Sequence, residues 1–279
     1  VTPVNWDASE QARSALSAAT GRGVRVAVID SGVHAAHPHV GGVAGGIAFS
    51  TDGRAHEDFV DRLGHGTAVI AAIKEKAPDA EIYAVKVFDA ALATSVITLV
   101  RAIDWAVSHH MHVINLSLGT PNPAHDEVMR DAARRADFSD VRIVSANPAG
   151  NQRWLPGALP GVVGVDVDWD CPRERYAVID GAGAAAVAPD AGAGAGAGAG
   201  ASTIAGGGGG AVVAFRASGY PRDIPGVSRE QNLKGVSFAV ANMTGFVARA
   251  LQGSPSVVFP ELIARLRAGA AIVGDRARA

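Results

Sequence analysis

Cysteine is almost absent from this sequence, with Cys171 standing alone among 279 residues. A lone thiol excludes an internal disulfide framework, so the fold must rest on an apolar core. That usage suits a reducing compartment and equally suits exported proteins without disulfides, so secreted and cytoplasmic locations both stay open. Charge of one sign is also lacking: the formal net charge is −2, and Lys and Arg are scattered along the chain. This excludes the basic footprint of a nucleic-acid partner or an anionic membrane surface. No charged stretch leads into an apolar one at the start, and Val1 opens the chain without a methionine, as in a trimmed or processed form.

What is present is a series of near-continuous apolar runs, at 24–30, 81–87, 112–117, 141–146 and 161–166. Such runs predict strands buried on both faces. Between the second and third, Val96, Leu99, Val100, Ile103 and Val107 recur at helical spacing, with Thr94 or Ser95 available as N-cap. Further helices are predicted at 125–136, from near His65, and over 237–252. Strands alternating with helices predict an α/β fold, a doubly wound and mainly parallel sheet with helices on both faces. One domain over 1–279 is the simplest organisation at this length.

Two stretches depart from that rhythm. Residues 181–211 are almost wholly Gly and Ala, including five consecutive glycines at 206–210. With nothing to bury and maximal backbone entropy to lose, they read as a flexible insertion, or else as stand-ins for side chains never determined. Residues 220–232, charged and carrying two prolines, read as a specific insertion ahead of Ser237.

Three residues carry candidate chemistry. Asp30 ends an apolar strand, His65 sits between Gly64 and Gly66, and Ser237 opens a helix. Each alone has an ordinary explanation: a capped strand end, a turn, an N-cap. Together they supply the acid, base and hydroxyl of nucleophilic acyl transfer, and catalytic groups of open α/β sheets gather at strand carboxyl ends. A serine hydroxyl needs a base near neutral pH. In the first turn of a helix its own N–H is free to meet a developing oxyanion.

The segments Val26-Ala27-Val28-Ile29-Asp30-Ser31-Gly32, Gly64-His65-Gly66-Thr67, Val113-Ile114-Asn115-Leu116-Ser117-Leu118-Gly119 and Gly235-Val236-Ser237-Phe238-Ala239 resemble the subtilisin-like serine proteases, in that family's order. The resemblance implies an endopeptidase acting on peptide or protein substrates without a cofactor. It makes Ser237 the nucleophile, His65 the general base and then acid, and Asp30 the group orienting the imidazole. Ala149-Gly150-Asn151 resembles the family's oxyanion motif, which implies Asn151 as side-chain donor, with Asn147 the alternative. It also implies that Ser117, Leu118 and Gly119 pair with an extended substrate, Gly119 leaving room for the side chain before the scissile bond, while Ala149 and Gly150 wall that pocket. A removed amino-terminal pro-segment is a further partner to consider.

The sequence departs from the family at Val236, where threonine is usual, at Ala241 for proline, and at Asn242 for histidine. The short stretch 73–78 lacks the Asn-rich calcium loop of many secreted relatives, so calcium dependence is not expected. His34, His37 and His39 are assigned to the loop after Asp30 rather than to a metal. The alternating Asp166, Asp168 and Asp170 would share a face only if their strand continued. Two other functions stay open: a catalytically impaired peptide-binding module, and a processing protease dedicated to one precursor or leader peptide.

Overall fold

The computed structural model describes residues 16, 18–89, 91–148, 153–179 and 213–270. The Gly/Ala tract 181–211 and the motif Ala149-Gly150-Asn151 lie outside the described residues.

Among the described residues nine strands form one sheet: β1 (Arg25–Asp30), β2 (Gly45–Phe49), β3 (Ala55–His56), β4 (Glu81–Lys86), β5 (Val113–Leu116), β6 (Arg142–Ala146), β7 (Val162–Asp168), β8 (Tyr176–Ile179) and β9 (Val213–Ser218). Their order is β3-β2-β4-β1-β5-β6-β7-β9-β8. Pairing is parallel from β2 through β9, and only the edge pairs β2/β3 and β8/β9 are antiparallel. Alternate residues of β1 feed different cores, Val26 and Val28 one face, Ala27 and Ile29 the other. This is why the run reads as continuously apolar.

The helices divide between the faces. α1 (His65–Lys76), α4 (Val236–Leu251) and α5 (Phe259–Gly269) cover the first; α2 (Val96–Ser108) and α3 (Asp126–Phe138) cover the second. On α2, the Ser95 hydroxyl accepts the Thr98 N–H at 3.1 Å, so of the two N-cap candidates Ser95 is the one used. α4 is the central helix, with nearly every residue from Phe238 to Leu251 buried. Fully burying Phe238, Met243 and Leu251 contributes about 1.5–3 kcal/mol each. A Cβ at Gly245 would stand 2.4 Å from the Lys76 Cβ, so glycine there permits the close approach of α4 to α1.

β1 lies between β4 and β5: the chain runs from β1 through β2 and β3 to β4 on one side, then crosses β1 to build β5 on the other. The carboxyl ends of β1 and β5 therefore flank a topological switch point, where ligands of open sheets bind. Asp30 and Ser117 stand at those ends. By contrast β7 stops at Asp168, where the Asp170 N–H turns back onto the Asp168 carboxylate at 3.0 Å, so the three alternating aspartates do not share a strand face. Cys171 is buried, and burial first, then the nearby Asp168 charge, pushes its thiol far above the usual range.

Candidate active site

Asp30 is 1% exposed at the end of β1. Its Oδ1 accepts the Ser31 N–H at 2.7 Å and lies 2.7 Å from His65 Nδ1. Its Oδ2 is buried with no hydrogen-bond partner among the described residues. Burial pushes the His65 imidazole down, but the Asp30 hydrogen bond and charge, with a contribution from Asp61, outweigh it and hold the pKa above the usual histidine value.

His65 is the first residue of α1, and the two glycines beside it serve different ends. Gly64 has φ 79°, a left-handed turn into the helix that a side chain resists. Gly66 instead makes room: a Cβ there would meet the Gly32 carbonyl oxygen at 2.3 Å.

No side chain at position 64 caps α1. The cap comes from outside the helix. Asp61, fully buried, accepts the Thr67 N–H at 2.8 Å and the Thr67 hydroxyl at 2.7 Å on Oδ2. Its Oδ1 accepts the N–H groups of Leu63 and Gly64 and the Ser31 hydroxyl. Ser31 Oγ in turn accepts the Gly66 N–H at 2.8 Å. Desolvation opposes ionisation of Asp61, yet the Thr67 side-chain and backbone bonds and those of Leu63 and Ser31 bring its pKa below the usual carboxylate value. Two orphan donors of the helix are thus satisfied by groups that also fix Asp30's neighbour.

Ser237 is the second residue of α4, in the turn whose N–H groups lack intrahelical partners. Its neighbour Phe238 packs with ring centroid 5.7 Å from that of His65. The Ser237 hydroxyl donates to the Ser117 carbonyl, and the Ser117 hydroxyl donates back to the Ser237 carbonyl, both at a long 3.4 Å. Among the described residues, no hydrogen bond joins Ser237 to His65. A buried chain supports this corner: Thr244 Oγ1 donates to Asn115 Oδ1, and Asn115 Nδ2 donates to Ser117 Oγ, each at 2.9 Å.

Ser117, Leu118 and Gly119 run past the end of β5. Thr120 exchanges backbone bonds with Leu155, and a Cβ at Gly119 would meet the Leu155 carbonyl oxygen at 2.7 Å. Glycine there has a packing reason of its own. The Asn147 side chain lies beside Gly157 and Gly164, and the Asn147 backbone N–H donates to the Val165 carbonyl at 2.7 Å. Asn242, where the family has histidine, is fully buried and donates to the carbonyls of Ser218 and Tyr220.

Sequence reasoning missed Asp61, Ser31, Asn115 and Thr244. The one local signal for Asp61 was an acid just ahead of the Gly-His-Gly turn.

Residues 21–188, which include Asp30 and His65 and stop short of Ser237, match the subtilase family model. The chain belongs to the subtilase family. A thermostable alkaline protease of Halalkalibacterium halodurans is 37% identical over 140 residues, 47% of this chain and 36% of that protein. Subtilisin Savinase of Lederbergia lenta is 38% identical over 137 residues, 46% of this chain and 48% of its own. Subtilisin E of Bacillus subtilis is 36% identical over 142 residues, 48% and 35% of the two chains. These matches span from about a third to a half of each relative's own length. The crystal structure of a cold-adapted subtilisin-like serine proteinase superposes with a TM-score of 0.63 at 20% identity, covering 92% of this chain and 86% of that one. It shows that the subtilase shares the subtilisin-like fold.

Proposed function

We propose that this subtilase is a serine endopeptidase that hydrolyses peptide bonds through an acyl-enzyme on Ser237. The observation that carries the reading is the 2.7 Å contact of Asp30 with His65, at a sheet switch point that Ser237 approaches from the amino end of α4.

In this reading the Ser237 hydroxyl leaves the Ser117 carbonyl by a rotamer change and donates its proton to His65 Nε2 as Oγ attacks the substrate carbonyl carbon. Asp30 accepts from Nδ1–H and stabilises the imidazolium, which the raised His65 pKa favours. In this reading the oxyanion is met by the Ser237 N–H and the Asn151 amide, with Asn147 the alternative donor. His65 then protonates the leaving amine as the C–N bond breaks; water, giving a proton to His65, bonds to the acyl carbon, and the carbon–Oγ bond breaks as His65 returns that proton to Ser237 and the carboxylic acid leaves. Extended substrate pairs with Ser117, Leu118 and Gly119; Ala149 and Gly150, which the family resemblance assigns to the pocket wall, lie outside the described residues.

The Ser237 rotamer is the observation that favours the second reading, an impaired peptide-binding module. Labelling by a fluorophosphonate decides between them. The peptidase reading requires stoichiometric modification lost in Ser237→Ala, together with loss of peptide turnover; turnover retained in that variant overturns it. Within the peptidase reading, the anchored segment between β9 and α4 supports a dedicated precursor or leader-processing role over general degradation. Indiscriminate cleavage of a diverse peptide library would count against that role.

A further inference from the structure

The segment between β9 and α4 is clamped at its base. Gly235 N–H donates to the Gly219 carbonyl at 2.9 Å, and Asn242 holds the carbonyls of Ser218 and Tyr220 from within α4. Further out, the Arg229 guanidinium lies 3.9 Å above the Tyr220 ring, and Trp169 meets that ring edge-on at 5.5 Å. Asp223 pairs with Arg173 at 3.1 Å. This is a built wall.

Between that wall, the loop after β1 and the start of α1 lies a cavity of about 250 Å³. Ala68, Ile224 and Leu233 give it an apolar lining, with Ile224 45% and Leu233 53% exposed at its mouth. Its polar lining includes Arg222, His37 and His39, and among the described residues none that lines it is acidic. Arg222 is half-buried and makes no ion pair among the described residues, since the adjacent acid Asp223 is held by Arg173. His37 Nδ1 accepts the His39 N–H at 3.2 Å, which leaves the ring's Nε2–H as its donor. Burial, then the Arg222 charge, holds His39 below its usual pKa. The fixed charge of the cavity is therefore one guanidinium on an apolar floor. Gly64, in the same lining, adjoins His65, so the cavity is contiguous with the catalytic turn.

We propose that this cavity docks an acidic residue of the polypeptide substrate, with an adjacent aliphatic residue, outside the bond that is cleaved. Arg222 receives the carboxylate in a charge-assisted pair, the His37 Nε2–H adds a donor, and Ala68, Ile224 and Leu233 receive the aliphatic side chain. An unpaired guanidinium half-removed from water gains more from a carboxylate than one on an open surface. The proposal rests on the peptidase reading and narrows its substrates.

The test is cleavage of a randomised peptide library by the wild type, Arg222→Gln and Arg222→Glu. Expected is enrichment of Asp or Glu beside an aliphatic residue at a fixed distance from the scissile bond, lost in Arg222→Gln and turned to Lys or Arg in Arg222→Glu. For a matched pair of peptides differing by Glu or Gln, the wild type should differ about tenfold in kcat/KM, carried by KM. Because that comparison varies only the peptide, it stands even if an Arg222 variant fails to fold. Cleavage with no acidic preference, or a profile unchanged by Arg222→Glu, overturns the proposal and leaves the peptidase reading intact. Absence of any cleavage sinks the peptidase reading instead. Binding then decides the cavity separately, using a fluorescein-labelled peptide of alternating Leu and Glu against its Leu and Gln counterpart on Ser237→Ala. Tighter binding of the acidic peptide, abolished by Arg222→Glu, supports the site; equal or absent binding overturns it.

Discussion

Ser31 donates its hydroxyl to the buried Asp61 carboxylate at 2.9 Å while its own N–H donates to Asp30 at 2.7 Å, so one serine ties two acids together. Asp30 touches the imidazole. Asp61 holds the turn that presents it.

Asp61→Asn should act on both structure and titration. Losing a buried acceptor leaves donors among Thr67, Leu63 and Gly64 unsatisfied, at about 1–3 kcal/mol for each group stranded, measurable by urea unfolding. Asp61 has a depressed folded-state pKa, so its stabilisation is present above the unfolded carboxylate value and is lost as pH falls through the folded one. The variant should lose that part of the acid dependence. Removing the charge should also move the acid limb of kcat/KM to lower pH, an effect that a purely structural role would not produce.

The wild-type pH profile is expected to follow His65. Its imidazole must be neutral to accept the Ser237 proton, and its pKa is held above the ordinary histidine value of 6.5. The acid limb of kcat/KM should therefore have its midpoint above 6.5, with rate falling as pH falls through it. The same shift gives a stabilisation that is full below the unfolded value and is lost as pH rises through the folded one. NMR titration of the imidazole checks both; a midpoint below 6.5 would contradict the Asp30 contact.

Asn242→Ala should loosen the base of the loop between β9 and α4. The buried Ser218 carbonyl and the partly buried Tyr220 carbonyl lose their donor, at about 1–3 kcal/mol for the Ser218 group if unrelieved and less for Tyr220. Hydrogen exchange should rise in 219–235 before it rises in β1 or β5. Uniform loosening would show that Asn242 supports the core generally.

Asn151→Ala should lower kcat by roughly 10²–10³ with little change in unfolding midpoint, the magnitude established for such a donor in subtilisin itself. A negligible loss would move the role to another amide.

Much of the sheet was legible because β1 and β4 to β7 are buried on both faces, leaving continuous apolar runs. The helix over 96–108 was legible from its period and its serine cap. The antiparallel edges were not: β2 begins on paired glycines and β3 is two residues long, so neither carries a period. α5 did carry one, with Pro260 at its start and Leu262, Ile263 and Leu266 buried, and went unread. At the site, Asp30 and His65 sit in short motifs that name their chemistry. Asp61 does not, because its meaning depends on Ser31, which is brought to it only by the fold.

The Gly219 to Gly235 hydrogen bond makes the intervening loop a closed cassette. Its two ends meet before α4 begins, so residues can be added, removed or exchanged within it without shifting the helix that carries Ser237. On the proposed reading, such an arrangement would let the choice of substrate evolve on one stretch of chain while the geometry of the reacting groups is inherited unchanged on another.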